Sequence, residues 1–347
     1  MAALESNDTY DEQYALPRRV LSVQSHVVSG YVGNKAAVFP LQILGFDCDY
    51  INTVQFSNHT GYPLFKGTVT TGDQLIDIAN GLKANNLLDY DYLLTGYIGS
   101  ESFLDSVLDL LNMIESSFKS NIKYICDPVL GDEGKCYVPA SLVSIFVAKV
   151  IPRAYMITPN QFEAELLTGM KIKSNDDVIE ALKKLNALGP KIVVMTSAEI
   201  DEKPNQLCCY VLVSDSNTKN GNTNSIEITR IIVNKIDGYF TGTGDCCAAL
   251  LLGWCDKLGE SNMGIALKNT LGTIQAIINK TIIKQRAMDA KINETTNEID
   301  KKALKARAAE LNVIQCKDDI LNPPDIICTS ISSIVEDDDN AITTWTL

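Results

Sequence analysis

The chain has 347 residues, 46% of them hydrophobic, and a formal net charge of -13, enough apolar content for one large core. The acidic balance excludes a broad nucleic-acid-binding surface, which must be basic, and no apolar stretch approaches the roughly 20 residues that span a bilayer. Ten cysteines include the pairs Cys208-Cys209 and Cys246-Cys247 but no Cys-x-x-Cys, which points to reduced cytosolic thiols rather than a zinc or disulfide framework.

Glu5, Asp8, Asp11 and Glu12 precede any apolar run, the wrong charge for the start of a signal peptide. Residues 1–17 therefore read as a flexible N-terminal segment of a soluble, cytoplasmic protein. Short β-branched runs predict buried strands over Arg19–Val23, Tyr50–Val54, Tyr92–Leu94, Tyr124–Cys126, Tyr155–Ile157 and Ile192–Met195. Helical periodicity falls between them, over Gln74–Ala84, Phe103–Phe118, Gln161–Leu167, Val178–Leu188, Thr243–Lys257 and Asn262–Lys280. Such alternation predicts a single α/β domain over 18–347 with a largely parallel central sheet flanked by helices. Ligands then gather at the carboxyl ends of the strands. Two segments look like peripheral insertions: a polar loop near 214–225, and 285–311, charged and suited to a solvent-facing helix or a flexible excursion.

The loops that follow the predicted strands carry the chemistry. The first runs from Ser22 through Ser25, His26 and Gly30 to Asn34, and the second from Val54 to Tyr62; they hold both histidines, His26 and His59. Without carboxylate spacing, these histidines read as structural hydrogen-bonders rather than acid-base groups. Asp127 ends a strand in Cys126-Asp127-Pro128-Val129-Leu130-Gly131-Asp132. Two carboxylates in such a loop suit Mg²⁺ with phosphate, or serve an ordinary turn. In Thr158-Pro159-Asn160-Gln161-Phe162-Glu163-Ala164-Glu165, Thr158, Asn160 and Glu163 either cap a helix or face the same ligand. Thr196 and Ser197 close a later strand with two hydroxyls suited to phosphate. In Thr241-Gly242-Thr243-Gly244-Asp245, glycines open a helix whose free amides and dipole attract an anion. Asp245 there is either a carboxylate that complements the dipole or a base beside a transferring phosphoryl group. Neither a P-loop nor the full dinucleotide fingerprint is present.

Taken in order, Ser25-His26-Val27, Gln55-Phe56-Ser57-Asn58-His59-Thr60-Gly61-Tyr62, Leu94-Thr95-Gly96-Tyr97, the Cys126–Asp132 and Thr158–Glu165 strings, and Gly242-Thr243-Gly244-Asp245 resemble the pyridoxal kinase family of the ribokinase-like superfamily. The similarity runs from Arg19 to about Lys280, with a weaker trace at Asn322-Pro323-Pro324-Asp325. The resemblance implies ATP-dependent phosphorylation of the 5'-hydroxyl of pyridoxal, pyridoxine or pyridoxamine. It gives Asp245 the role of base and the amides of Gly242, Thr243 and Gly244 that of anion hole. Ser25 and Thr60 would bond the polar groups of the pyridine ring, with Val54, Phe56 and Tyr97 along its faces. Asp127, Asp132, Tyr137, Thr158, Asn160, Glu163, Thr196, Ser197 and Ile236 would surround ATP, Mg²⁺ and a monovalent cation such as K⁺. Family members are generally homodimers. The four residues between Asp132 and Tyr137 make a shorter ATP-covering loop than the family's animal members have. A hydroxymethylpyrimidine kinase and a non-catalytic nucleotide- or vitamin-binding sensor are the alternatives.

Overall fold

Short apolar runs form the centre of the sheet, most of them buried on both faces as expected of parallel strands covered on two sides. These strands are β1 (Arg19–Val27), β2 (Asp47–Phe56), β4 (Tyr92–Thr95), β5 (Lys123–Cys126), β8 (Met156–Ile157) and β9 (Ile192–Ala198). They pair in parallel in the order β9-β8-β5-β4-β1-β2. Antiparallel strands extend both edges, β3 (Gly67–Val69) beside β2, and β10 (Gln206–Asp215), β11 (Ser225–Asn234), β12 (Cys328–Glu336) and β13 (Ile342–Thr346) beyond β9, for eleven strands in all. A separate hairpin joins β6 (Gly131–Asp132) to β7 (Lys135–Cys136). This computed structural model describes residues 16–117, 121–132, 134–200, 205–215, 225–326, 328–336 and 342–346. The predicted N-terminal segment 1–17 and the loop near 214–225 lie almost wholly outside them.

Helices cover both faces. One layer comprises α2 (Gly72–Ala84), α3 (Glu101–Ser117), α4 (Ser141–Ile145), α5 (Gln161–Thr168) and α6 (Asn175–Ala187), burying Leu75, Leu104, Ala164 and Leu182 against the sheet. The other comprises α1 (Asn34–Ile43), α7 (Thr243–Leu258) and α8 (Met263–Glu294), burying Leu41, Leu252 and Leu267. Then come α9 (Glu298–Ala308) and α10 (Lys317–Leu321). Over 285–311 the solvent-facing helix is the alternative that forms, as the end of α8 and α9. Its far end is not peripheral, because Ala306, Ala308, Ala309, Glu310 and Leu311 are all buried. Chain order reverses beside β1, whose neighbours are β2 and β4, so the loops after β1, β2, β4, β5, β8 and β9 open at one edge of the sheet.

Candidate active site

Two antiparallel steps from β9 bring β11 back to the direction of the central strands, so the chain leaves it at that same edge and turns into α7. Gly242 makes the turn with φ 87°, in the left-handed region, and no side chain caps the helix. By contrast α2, α5 and α6 each start in a capping box, at Thr71, Asn160 and Ser174. The first amides of α7 are thus left to an anion. A Cβ at residue 242 would also run into the Tyr31 carbonyl oxygen. Gly242→Ala is therefore expected to destabilise the fold, by about 1–2 kcal/mol from the left-handed conformation alone. That corresponds to a fall of several degrees in the thermal midpoint, and an unchanged midpoint would refute the close fit of the turn.

Asp245, in the first turn of α7, accepts the Gly33 amide at 2.8 Å on Oδ2. Its side chain keeps some surface open to the cleft, yet its carboxyl is deep enough that desolvation raises its pKa, against the lowering effect of the Gly33 amide. Asp127 is buried at the end of β5, with Oδ1 accepting the Thr158 hydroxyl at 3.0 Å. A Cβ on Gly244 would lie 3.7 Å from Asp127 Oδ2. Desolvation, then the charge of Asp245, pushes the Asp127 pKa up to about 7, with the Thr158 bond opposing. Glu163 is raised too, by burial and then by Asp127. Its oxygens accept the amides of Leu130 (3.0 Å), Gly131 (3.5 Å) and Asn160 (2.9 Å), so it caps α5 and holds the loop after β5 at once. Asn160 adds a bond from its side-chain amide to the Gly131 carbonyl, 2.9 Å.

No Lys or Arg among the described residues forms an ion pair with Asp127, Asp245 or Glu163. Buried anions gathered without a counter-cation suit a cation. No group of three or more His, Cys, Asp or Glu among the described residues would by itself hold a metal. The donor set thus fits Mg²⁺ in its usual manner, held by one or two carboxylates and completed by phosphate and water.

The chain is 48% identical to "Pyridoxal kinase" of Arabidopsis thaliana over 88% of its own length and 92% of the relative's, and 40% identical to that of Homo sapiens over 90% and 98%. The chain belongs to the pyridoxal kinase family. The reaction of that family is phosphotransfer to an alcohol group. Among solved structures, pyridoxal kinase from Leishmania donovani in complex with ADP and ginkgotoxin matches with a TM-score of 0.77 at 31% identity, over 94% of this chain and 99% of that one. Its complex with ADP and pyridoxine matches with a TM-score of 0.76. The family model described as phosphomethylpyrimidine kinase matches residues 87–255.

The remaining residues expected from the pyridoxal kinase resemblance line the same edge. Ser25 is half-buried at the end of β1, pressed against Gly33, where a Cβ would collide with both its carbonyl and its hydroxyl. Through Gly33, Ser25 is thus one residue removed from the Asp245 carboxylate. Val54 is buried, Tyr97 half-buried, and Phe56 packs on Phe65 with ring centroids 5.1 Å apart. Thr196, near the end of β9, donates its amide to the Pro159 carbonyl in the loop after β8, 3.0 Å, with Ser197 beside it. Asp132, in β6, and Tyr137, just after β7, are exposed, and the Tyr137 amide bonds the Leu130 carbonyl at 2.8 Å. Thr60 is exposed and Ile236 half-buried after β11; neither makes a hydrogen bond to Asp127 or Asp245.

Three contributors lack an obvious mark in the sequence. Asn34 is buried beneath the first loop; it accepts the Ser22 hydroxyl at 2.8 Å and donates to Ile51 and Asn52. Gln24 donates to Ser22 at 3.0 Å. Glu310 reaches the same loops from the far end of the chain.

Proposed function

We propose that this chain transfers the γ-phosphoryl group of ATP to the 5'-hydroxyl of pyridoxal, pyridoxine or pyridoxamine, forming pyridoxal 5'-phosphate and its congeners in vitamin B6 salvage. The observation that carries the reading is Asp245. It stands at an uncapped helix N-terminus, bonded through Gly33 to the loop of Ser25. Asp245 takes the hydroxyl proton, and the amides of Gly242, Thr243 and Gly244 hold the developing phosphoryl charge. Ser25 and Thr60 orient the ring while Val54, Phe56 and Tyr97 wall it. Asp127, Asp132, Thr158, Glu163 and Thr196 form the side suited to Mg²⁺ and a monovalent cation such as K⁺, with Tyr137, Asn160, Ser197 and Ile236 about the nucleotide. When bound, Mg²⁺ neutralises phosphate charge. The related Leishmania donovani structures contain ADP with pyridoxine or pyridoxamine.

We also read the protein as a cytoplasmic homodimer. Tyr50, Leu64, Phe65 and Val69 expose large apolar surface around β2 and β3, where the sheet ends, and such a patch suits a second copy. Cys246 and Cys247 pack as buried thiols, their pKa raised chiefly by burial, as suits a reducing compartment.

The match to the phosphomethylpyrimidine kinase model favours a second reading, phosphorylation of a hydroxymethylpyrimidine. That match begins at residue 87, after the loops of Ser25, Val54, Phe56 and Thr60, so of the ring-side residues it takes in Tyr97 alone and bears chiefly on the phosphate side. Incubation with ATP, Mg²⁺ and each candidate alcohol, followed by product mass and kcat/KM, separates the two. Pyridoxal is expected to give the phosphorylated product with the higher kcat/KM. A preference for the pyrimidine, or no product from folded, nucleotide-binding protein, would overturn the assignment.

A further inference from the structure

Glu310 stands in the segment after α9, and its carboxylate is spent on the two loops that carry Ser25 and Thr60. Oε2 accepts the Tyr31 amide at 2.8 Å, Oε1 accepts the Tyr62 hydroxyl at 3.2 Å, and His59 Nε2 lies 3.4 Å from Oε1. His59 Nδ1 accepts the Gly61 amide at 3.1 Å, so the proton of a neutral His59 sits on Nε2, near Glu310 but not hydrogen-bonded to it. Glu310 is only 6% exposed, and a Cβ on Gly30 would collide with its carboxylate.

The same residue is tied to the anion hole. Its backbone pairs with Thr241, the residue before Gly242, and Lys284 donates to its carbonyl. Tyr31, whose amide it holds, presses its carbonyl on Gly242, and two residues later Gly33 donates to Asp245. Burying a carboxylate is costly unless several donors satisfy it. Here those donors come from both loops, and the backbone behind them supports the glycine turn.

We propose that Glu310 is a positioning residue for the alcohol substrate, clamping the loops after β1 and β2 in register with Gly242 and Asp245. This rests on the pyridoxal kinase reading of the site. The Glu310 carboxylate bonds only the loops that hold the ring, and makes no contact with the loops after β5, β8 and β9 on the nucleotide side. Its loss therefore separates the two substrates.

Steady-state kinetics of Glu310→Gln, with the thermal midpoint as a control, test this. The amide keeps the shape but leaves a single acceptor oxygen for the Tyr31 amide and the Tyr62 hydroxyl. KM for pyridoxal is expected to rise about 10-fold or more, as losing a charge-assisted hydrogen bond implies, while KM for ATP stays within about twofold. Tyr62→Phe, which removes one donor outside the core, is expected to move KM for pyridoxal in the same direction at an unchanged midpoint. The clamp is overturned if KM for both substrates rises in proportion, or if folded Glu310→Gln keeps wild-type KM for pyridoxal. Should Glu310→Gln fail to fold, an unchanged pyridoxal KM in Tyr62→Phe overturns it equally. Wild-type turnover of pyridoxal, measured alongside, distinguishes failure of the clamp from failure of the substrate assignment.

Discussion

Asp245→Asn is expected to lower kcat for pyridoxal by about 10²- to 10⁴-fold, the usual cost of losing a general base, with binding of both substrates close to wild type. The asparagine carbonyl can still accept the Gly33 amide that Asp245 accepts at 2.8 Å, so the turn, the helix start and the Ser25 loop keep their places. What disappears is the ability to take a proton. Desolvation raises the pKa of Asp245, which strengthens its carboxylate as a base. Single-turnover measurements with saturating ATP isolate the chemical step. Near-native turnover would mean that another group or water takes the proton, and would return Asp245 to the lesser role of complementing the dipole of α7.

How much of this was legible in the sequence depends on how local each signal is. The six central strands were readable because each holds a short apolar or β-branched run, and all six predicted runs lie on or overlap observed strands. Helix α1 escaped notice because it begins at Asn34, straight out of the Gly33 turn, and contains Pro40. The antiparallel strands β12 and β13 were missed because β12 reaches the sheet through a distant partner, pairing with β11 across α7 to α10. Within the site, Asp127, Thr158, Glu163 and Asp245 each lie in a compact string after a strand or at a helix start. The contacts that assemble these strings are invisible to any local window. Gly33 and Asp245 are separated by 212 positions, and Tyr31 and Glu310 by 279. The one sequence mark of Glu310 is an acid interrupting the small apolar run Ala308-Ala309-Glu310-Leu311. His59, read as a structural hydrogen-bonder, does bond the Gly61 amide, but it also faces that acid.

The buried carboxylates set function against stability, and Asp127→Asn exposes the conflict. Desolvation first, and then the charge of Asp245, pushes the Asp127 pKa from 3.8 up to about 7. The folded protein therefore binds more protons than the unfolded chain between these values. For such a raised carboxyl the stability of the metal-free protein is highest below about pH 4 as far as this group is concerned, and falls as pH rises to about 7. Above that window the ionised Asp127 costs on the order of a few kcal/mol. Asparagine removes the charge and keeps an acceptor for Thr158, so the metal-free variant is expected to melt several degrees above wild type at pH 8. At pH 4 the advantage should vanish. The same change removes a carboxylate suited to Mg²⁺, so kcat/KM for Mg²⁺-ATP is expected to drop at least about 100-fold. Added Mg²⁺-nucleotide should also raise the midpoint of wild type more than that of the variant. Melting curves at pH 4 and pH 8, with and without Mg²⁺-nucleotide, test both halves. A variant less stable than wild type at pH 8 would show that Asp127 already has a compensating partner in the metal-free fold. Full activity in the variant would show that the phosphates are neutralised elsewhere.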